Sequence, residues 1–381
     1  MPEATRPMRH LSPLIACLAF LPALAGCSTD AEAPPPPLSK EAMSAVAKNP
    51  GAPRAQLARA VDNLFVDPQL GETRAVVVMH GGYIAAERYE PGYDKNTRFI
   101  SWSMAKTVTA VMIGMLVADG RLRLDESPPV PRWRRPGDPR GEITLRQLLQ
   151  MRSGLRHTEA GNPPYESSEV RMLFLDGRDD MADFAESQPL EAEPGSKFEY
   201  SSATSVILAD IAARVLSRSD DPDARRRAVA DYLQSRLFGP LGMDSMVPEF
   251  DASGTLIGGS VIQGSARDWA KFGEFLRNKG SYRGSQLIPR RWIEFMTTPS
   301  PRSANYGAQT WLNRKAENEE DPLFATRGPK DLFAAIGHMG QYILVDPDRK
   351  LTVVRLGQSD AEERKVLLPR LADVVDLYPG K

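Results

Sequence analysis

The chain has 381 residues, 41% of them hydrophobic and 25% charged, a balance that excludes a disordered chain and suits one large domain or two ordinary ones. Its formal net charge of -1 excludes a global field for nucleic acid or for an acidic substrate. Basic clusters at Arg132, Arg134 and Arg135 and at Arg225, Arg226 and Arg227 sit beside Pro, Asp or Gly and lack interleaved aromatics. They read as solvated loops and helix ends, so no nucleic-acid partner is expected.

In chain order, Arg6 and Arg9 precede an apolar run from Leu11 to Ala25 that is interrupted by Pro13 and Pro22. The run is too short to span a bilayer comfortably and has the length of a signal-peptide core. It ends in Leu24-Ala25-Gly26-Cys27, which resembles the lipobox of bacterial lipoproteins. That resemblance implies cleavage after residue 26, lipidation of Cys27 and membrane attachment through this anchor only. Ser28, in a position where Asp would retain a lipoprotein at the inner membrane, implies the periplasmic face of the outer membrane. Cys17, the only other cysteine, lies in the segment to be removed, so no intrachain disulfide is expected. Residues 1–27 are thus read as signal, 28–55, with Pro34 to Pro37, as a Pro-rich tether, and 56–381 as one domain.

Ala75 to Met79 and Tyr83 to Tyr89 read as strands joined by a His80-Gly81-Gly82 turn. A helix is predicted from about Ser103 to Asp119, stopped by Gly120, and its body is so apolar that burial on most sides is expected. Helical patterns follow at Leu145–Met151, Ser205–Leu216, Ala228–Leu237 and Ala266–Lys279. Gln341–Val345 and Leu351–Leu356 read as a hairpin, and Glu362–Leu377 as a closing amphipathic helix. The fold class is therefore α+β: an antiparallel sheet built from both chain ends, flanked by helices, with a mostly helical inserted subdomain.

The stretch "SWSMAKTVTA" places Ser103 and Lys106 three residues apart, hence on one helix face. Serine is a weak nucleophile without a base. Burial would depress the lysine and leave a neutral amine able to take the hydroxyl proton. Alone, such a pair is more often the capped, solvated start of a helix. Lys106, however, leads an apolar helix and follows Phe99, Ile100 and Trp102, which makes simple solvation a poor fit.

"SWSMAKTVTAVMIGMLVADGRLRLDE" resembles the nucleophile helix of the serine β-lactamase and penicillin-binding-protein superfamily, in the branch of class C β-lactamases, esterases and 6-aminohexanoate-dimer hydrolases. Segments at 143–155, 193–215, 237–246, 258–276, 306–313 and 337–357 resemble later family segments in the same order, so the similarity covers about 60 to 375. It implies a β-lactamase/transpeptidase-like fold, with Ser103 as nucleophile, Lys106 as its base and Tyr200 as second acid/base group, its phenolate stabilised by a neighbouring lysine. It further implies an oxyanion hole from the backbone N–H groups of Ser103 and Gln341. Substrate contacts would come from His338, Gly340, Ser202 and Tyr165, with Gly340 admitting a close approach of strand to substrate. Two departures stand out. Tyr200-Ser201-Ser202 replaces Tyr-x-Asn, and His338-Met339-Gly340 replaces Lys-Thr-Gly. A histidine, often neutral near pH 7, is a poor fixed cation for a β-lactam carboxylate.

There is no G-x-S-x-G elbow, phosphate loop or dinucleotide fingerprint, and His10, His80, His157 and His338 lack metal-ligand spacing. Neither metal nor cofactor is expected. The leading expectation is a serine hydrolase that cleaves a small-molecule carboxylic ester or non-peptide amide. The alternatives are a β-lactamase or D-alanyl carboxypeptidase, and a catalytically silent lipoprotein that binds cell-wall fragments or a partner. Oligomeric state is left open.

Overall fold

A computed structural model describes residues 37–316 and 322–380. The signal segment, Cys27 and residues 28–36 of the expected tether lie outside the described residues. The two ends of the chain meet in one antiparallel sheet. β1 (Glu72–His80) and β2 (Tyr83–Tyr89) come from the N-terminal side. β3 (Trp311–Leu312), β4 (Phe333–Gly337), β5 (Gln341–Asp346) and β6 (Leu351–Gln358) come from the C-terminal side, giving the order β2-β1-β6-β5-β4-β3. The seam is the β1–β6 pairing, with Val77 opposite Val354 and Val78 opposite Val353.

Side chains alternate across the sheet with period two. Val76, Val78, Tyr342, Leu344 and Val353 belong to one core, beneath α1 (Arg54–Val66) and the C-terminal helix Ala361–Asp376. Ala75, Val77, Ile343, Val345 and Val354 belong to the other core, which also holds α2 (Ala105–Ala118), α3 (Ser202–Leu216) and α4 (Ala266–Arg277). Both faces are therefore covered, which is why these strands are apolar almost throughout. α4 lies close on the sheet through Gly273, where a Cβ would stand 2.4 Å from Thr352 and 2.8 Å from Ile343.

α2 runs through the interior, buried from Ala105 to Leu116. Its one glycine, Gly114, makes room for the Trp292 indole, whose Nε1–H donates to the Ala110 carbonyl at 3.1 Å. The chain between β2 and β3 is mostly helical, as expected. It also contains a small antiparallel sheet of Arg98–Ile100, Ile262–Ser265 and Val247–Pro248 that the sequence pattern did not suggest.

Several boundaries move. The folded body starts at Leu38 rather than near residue 56. Val46 bridges Ala86, Ala47 N–H donates to Ala85, and α1 buries Leu57, Ala58, Val61 and Leu64 at helical spacing. His80 closes β1 and packs on Tyr378, leaving Gly81 and Gly82 as the turn. The expected helix Ala228–Leu237 begins earlier, at Pro222–Leu233, and ends in a wider turn over Gln234–Phe238.

The β4–β5 hairpin is anchored from below by a buried arginine. Arg355 donates to Thr73 Oγ1, the Gly340 carbonyl, the Glu72 carbonyl and Ser359 Oγ at 2.7–3.1 Å. Four acceptors around one guanidinium satisfy a charge that would otherwise be too costly to bury. They also fix the His338–Met339–Gly340 turn relative to β1 and β6.

Candidate active site

The turn that carries Ser103 is shaped by its neighbours before any chemistry is considered. Ser101 N–H donates to the Ile262 carbonyl at 2.9 Å, and Ile262 N–H donates to Ser101 Oγ at 3.0 Å. Trp102 then takes φ 45°, a left-handed conformation that a bulky residue adopts only when its surroundings impose it. Ser103 follows in a short 3-10 turn, Trp102–Met104, that feeds into α2. This places Ser103 at the head of the helix rather than within it.

Lys106, one turn on, is buried, and its Nζ lies 2.8 Å from each of Ser103 Oγ, Ser202 Oγ and the Gly259 carbonyl. Desolvation pushes its pKa down from the ordinary lysine value, against the opposing pull of Glu159 and Glu169. Gly259 is fixed by crowding: a Cβ there would stand 2.6 Å from the Ser202 carbonyl.

Tyr200 comes to the same point from the segment ahead of α3. Its phenol feels the Ser103 side chain, and its ring packs against Trp311 at 5.2 Å and edge-on to Tyr306 at 5.8 Å. Lys106 Nζ lies over the ring at 4.8 Å. Burial pushes the phenol well above its ordinary value, and Glu159 adds to the rise. Tyr200 is therefore a protonated phenol, and the stabilised phenolate expected from the sequence is not what this geometry favours. The lysine faces the ring, and carboxylates set the local field.

Ser202 was expected to contact substrate. It is fully buried instead, with its hydroxyl wedged between Lys106 and two carboxylates. Ser202 Oγ lies 2.6 Å from Glu159 Oε1 and 3.1 Å from Glu169 Oε1, and Ser202 N–H donates to Glu159 Oε2 at 2.6 Å. Glu159 Oε1 is 3.8 Å from Lys106 Nζ. The side chain is too short to reach past these neighbours. The two glutamates come together because reciprocal bonds between Thr158 and Ser168 close the intervening loop at its base. Tyr165 sits on that loop, 61% exposed, in a 3-10 turn.

His157 supports the same segment. Its Nδ1 meets Ser201 Oγ at 3.1 Å and Thr204 Oγ1 at 3.3 Å, and its Nε2 meets the Ala185 carbonyl at 3.1 Å. Ser201 Oγ in turn caps α3 by accepting from Thr204 N–H. A carbonyl at Nε2 requires the proton there, leaving Nδ1 to accept.

The hairpin side of the site needs correction. Gly340 has φ 78°, and a Cβ on it would stand 2.8 Å from the Arg355 guanidinium. Its role is the turn and the room left for Arg355. The glycine of close approach is Gly337, where a Cβ would lie 2.2 Å from the Ser101 carbonyl oxygen and 3.1 Å from both Trp102 Cβ and Gln341 Cβ. Gln341 pairs with Gly337 across the hairpin. Its side-chain amide donates to the carbonyls of His338, Met339 and Gly357 and accepts from Gly357 N–H. Gly337 thus occupies the space between Gln341 and the Ser101–Trp102 turn. His338 stands edge-on to Trp102 at 5.4 Å, and burial, aided by the charge of Arg364, holds it below the ordinary histidine value. It is neutral near pH 7.

Ser103 and Lys106 thus meet at hydrogen-bonding distance, with the Tyr200 ring against Lys106 and His338 beside Trp102. Glu159, Glu169 and His157 join them although the sequence did not single them out. Among the described residues no cluster of His, Cys, Asp or Glu has the form of a metal site.

This fold and constellation define a serine hydrolase of the β-lactamase and penicillin-binding-protein type. The chain belongs to the Beta-lactamase family, whose model matches residues 66–376. It is 24% identical over 294 residues to a 6-aminohexanoate-dimer hydrolase of Paenarthrobacter ureafaciens, covering 74% of this chain and 72% of that one. The structure of a Bacillus anthracis protein named for the same dimer hydrolase superposes with TM-score 0.65 at 22% identity, covering 83% of this chain and 81% of that one. A family VIII carboxylesterase superposes with TM-score 0.62 at 17% identity, covering 85% and 96%.

His157 gives the site a pH-dependent support. Burial pushes its pKa down from 6.5 to about 4. Its contribution to stability is therefore complete above the unfolded value and is lost as pH falls through the interval towards 4. In urea unfolding, the stability difference between wild type and His157→Gln should shrink by about 3 kcal/mol between neutral pH and about pH 4. Parallel stability curves for the two proteins would show that His157 is not held neutral.

Proposed function

We propose that the protein hydrolyses small carboxylic esters or non-peptide amides through an acyl-enzyme on Ser103. The observation that supports this most is the 2.8 Å contact between Ser103 Oγ and a buried lysine whose pKa is depressed. In this reading Ser103 Oγ bonds to the acyl carbon as its proton moves to Lys106 Nζ. Tyr200, kept protonated by burial, hands a proton to the leaving group and is reprotonated in the same cycle. Water then takes the place of the leaving group, and the steps run in reverse to release the acid.

The oxyanion would rest on the Ser103 N–H at the head of α2 and on a second N–H from the hairpin. The sequence suggested Gln341 for the second donor. The close fit of Gly337 to the Ser101–Trp102 backbone favours the Gly337–His338 end of β4 instead. Substrate class follows from the charges. A neutral His338 stands where β-lactamases with Lys-Thr-Gly have a fixed cation, which disfavours a β-lactam carboxylate. The names of the similar hydrolases, one for an amide-linked dimer and one for esters, point the same way. A β-lactamase or D-alanyl carboxypeptidase remains the second reading. The charge of Arg364, felt at His338, is the observation in its favour.

We also propose that the hydrolase is lipid-anchored through Cys27 and faces the periplasm from the outer membrane. The support is the charged start, apolar core and Leu24-Ala25-Gly26-Cys27 pattern.

Two experiments test these readings. Wild type and Ser103→Ala are compared on p-nitrophenyl butyrate, linear amides, D-alanyl peptides and a fluorescent penicillin. The expected result is turnover of esters or amides that falls about a thousandfold or more in Ser103→Ala, with no stable penicillin adduct. Equal turnover by both proteins would remove Ser103 as nucleophile, and a penicillin adduct confined to wild type would favour the second reading. For the anchor, cells fed radiolabelled palmitate should label wild type but not Cys27→Ala. Equal labelling, or none in either protein, would overturn it.

A further inference from the structure

Lys106 must lose a proton to act as a base, and the structure shows where that proton can go. Ser103 Oγ, Lys106 Nζ, Ser202 Oγ and Glu159 Oε1 form an unbroken chain with steps of 2.8, 2.8 and 2.6 Å. Glu169 Oε1 touches the same Ser202 hydroxyl at 3.1 Å. An amine and a hydroxyl each both donate and accept, so every link in the chain can pass a proton. Ser202 is fully buried, so bulk water does not short-circuit the path at that point.

We propose that Glu159, paired with Glu169, is the proton terminus of the nucleophile, exchanging one proton with Lys106 through the Ser202 hydroxyl. This rests on the reading of Ser103 as nucleophile. In the exchange, an ammonium proton of Lys106 passes to Ser202 Oγ while the proton of Ser202 passes to Glu159. Lys106 becomes a neutral amine, Glu159 a carboxylic acid, and Ser202 is unchanged. One N–H bond is broken and one O–H bond is made, with net charge constant. Lys106 is then free to accept the Ser103 proton as Oγ attacks. The pair acts through Lys106 and Ser202, so both glutamates are positioning residues rather than groups that touch substrate.

Two carboxylates on one buried hydroxyl favour a shared proton over two negative charges. Burial and the neighbouring Glu159 push Glu169 up from the ordinary glutamate value, with Lys106 opposing. The other titratable groups facing the pair are the phenols of Tyr200 and Tyr306, both held protonated by burial. The arrangement also accounts for the serine at 202: a side chain that relays a proton needs a hydroxyl, which an amide does not supply.

The test is the pH profile of kcat/KM for wild type, Glu159→Gln, Glu169→Gln and Ser103→Ala on an activated ester. With Glu159 in place, the set holding one proton already contains the neutral amine, so the acid limb belongs to the carboxylate pair. Glu159→Gln leaves only the ionisation of Lys106 itself, so the limb should move to higher pH by about one unit, with reduced maximal rate, and Glu169→Gln, which keeps the terminus, should move it less. A glutamate that merely braces the loop would lower the rate equally at every pH and leave the limb in place, and that result overturns the relay. If Ser103→Ala keeps full turnover, the nucleophile reading fails; if it is inactive while the limb stays fixed, only the relay fails. Should Glu159→Gln not fold, infrared spectra of wild type and Glu169→Gln decide the matter. A protonated-carboxyl stretch near neutral pH in wild type, lost in the variant, supports the shared proton, and its absence from wild type overturns it.

Discussion

A lysine amine buried in the first turn of an apolar helix is the constraint around which this structure is arranged. Lys106 has Ala105 before it and a buried run to Leu116 after it, so its side chain cannot reach solvent. A charge there is expensive unless each N–H finds a partner. The three partners come from three separate parts of the chain: Ser103 at the helix head, Ser202 at the start of α3 and the Gly259 carbonyl. Satisfying one amine thus ties together segments that lie up to 156 residues apart, and the same three contacts create the candidate site. Burial then depresses the amine and gives it the character of a base.

The opposite wall obeys a different constraint, namely how closely two backbones can meet. β4 approaches the Ser101–Trp102 turn through Gly337, and the turn accepts the approach by taking the left-handed conformation at Trp102. Beneath it, the Arg355 guanidinium and the Gln341 amide satisfy the carbonyls of the hairpin. The site is therefore set between a rigid helix head and a strand end that is held from below. Such preorganisation is what aims backbone donors at a developing oxyanion.

Much of this was legible in the sequence where the signal is local. The strand Tyr83–Tyr89, the strand that starts at Leu351, α2 and the C-terminal helix follow from short runs beside turn residues and from helical patterning, and Ser103 and Lys106 from spacing on one helix face. What the sequence hid is what depends on tertiary approach. Glu159 lies in a polar, Pro-containing loop and Glu169 in the first turn of the short helix Ser168–Phe174 that follows it, and only loop closure through Thr158 and Ser168 makes them a pair. The serine at 202 was a visible oddity, but its compensation by carboxylates was not. Gly337 and Gly340 are both glycines of one hairpin, and which of them meets the nucleophile turn is decided by strand register. The folded segment from Leu38 to Ala55 was read as tether because its prolines and small residues outweighed a short amphipathic pattern.

The central claim is that Lys106 stands ready as a neutral base because its surroundings disfavour its charge. Its ionisation can be followed directly through the side-chain carbon next to the amine, in protein carrying labelled lysine, with the resonance assigned by its loss in Lys106→Met. The account predicts a midpoint clearly below the ordinary lysine value of 10.5. A resonance that titrates at or above that value would show an amine held as a permanent cation and would contradict the account.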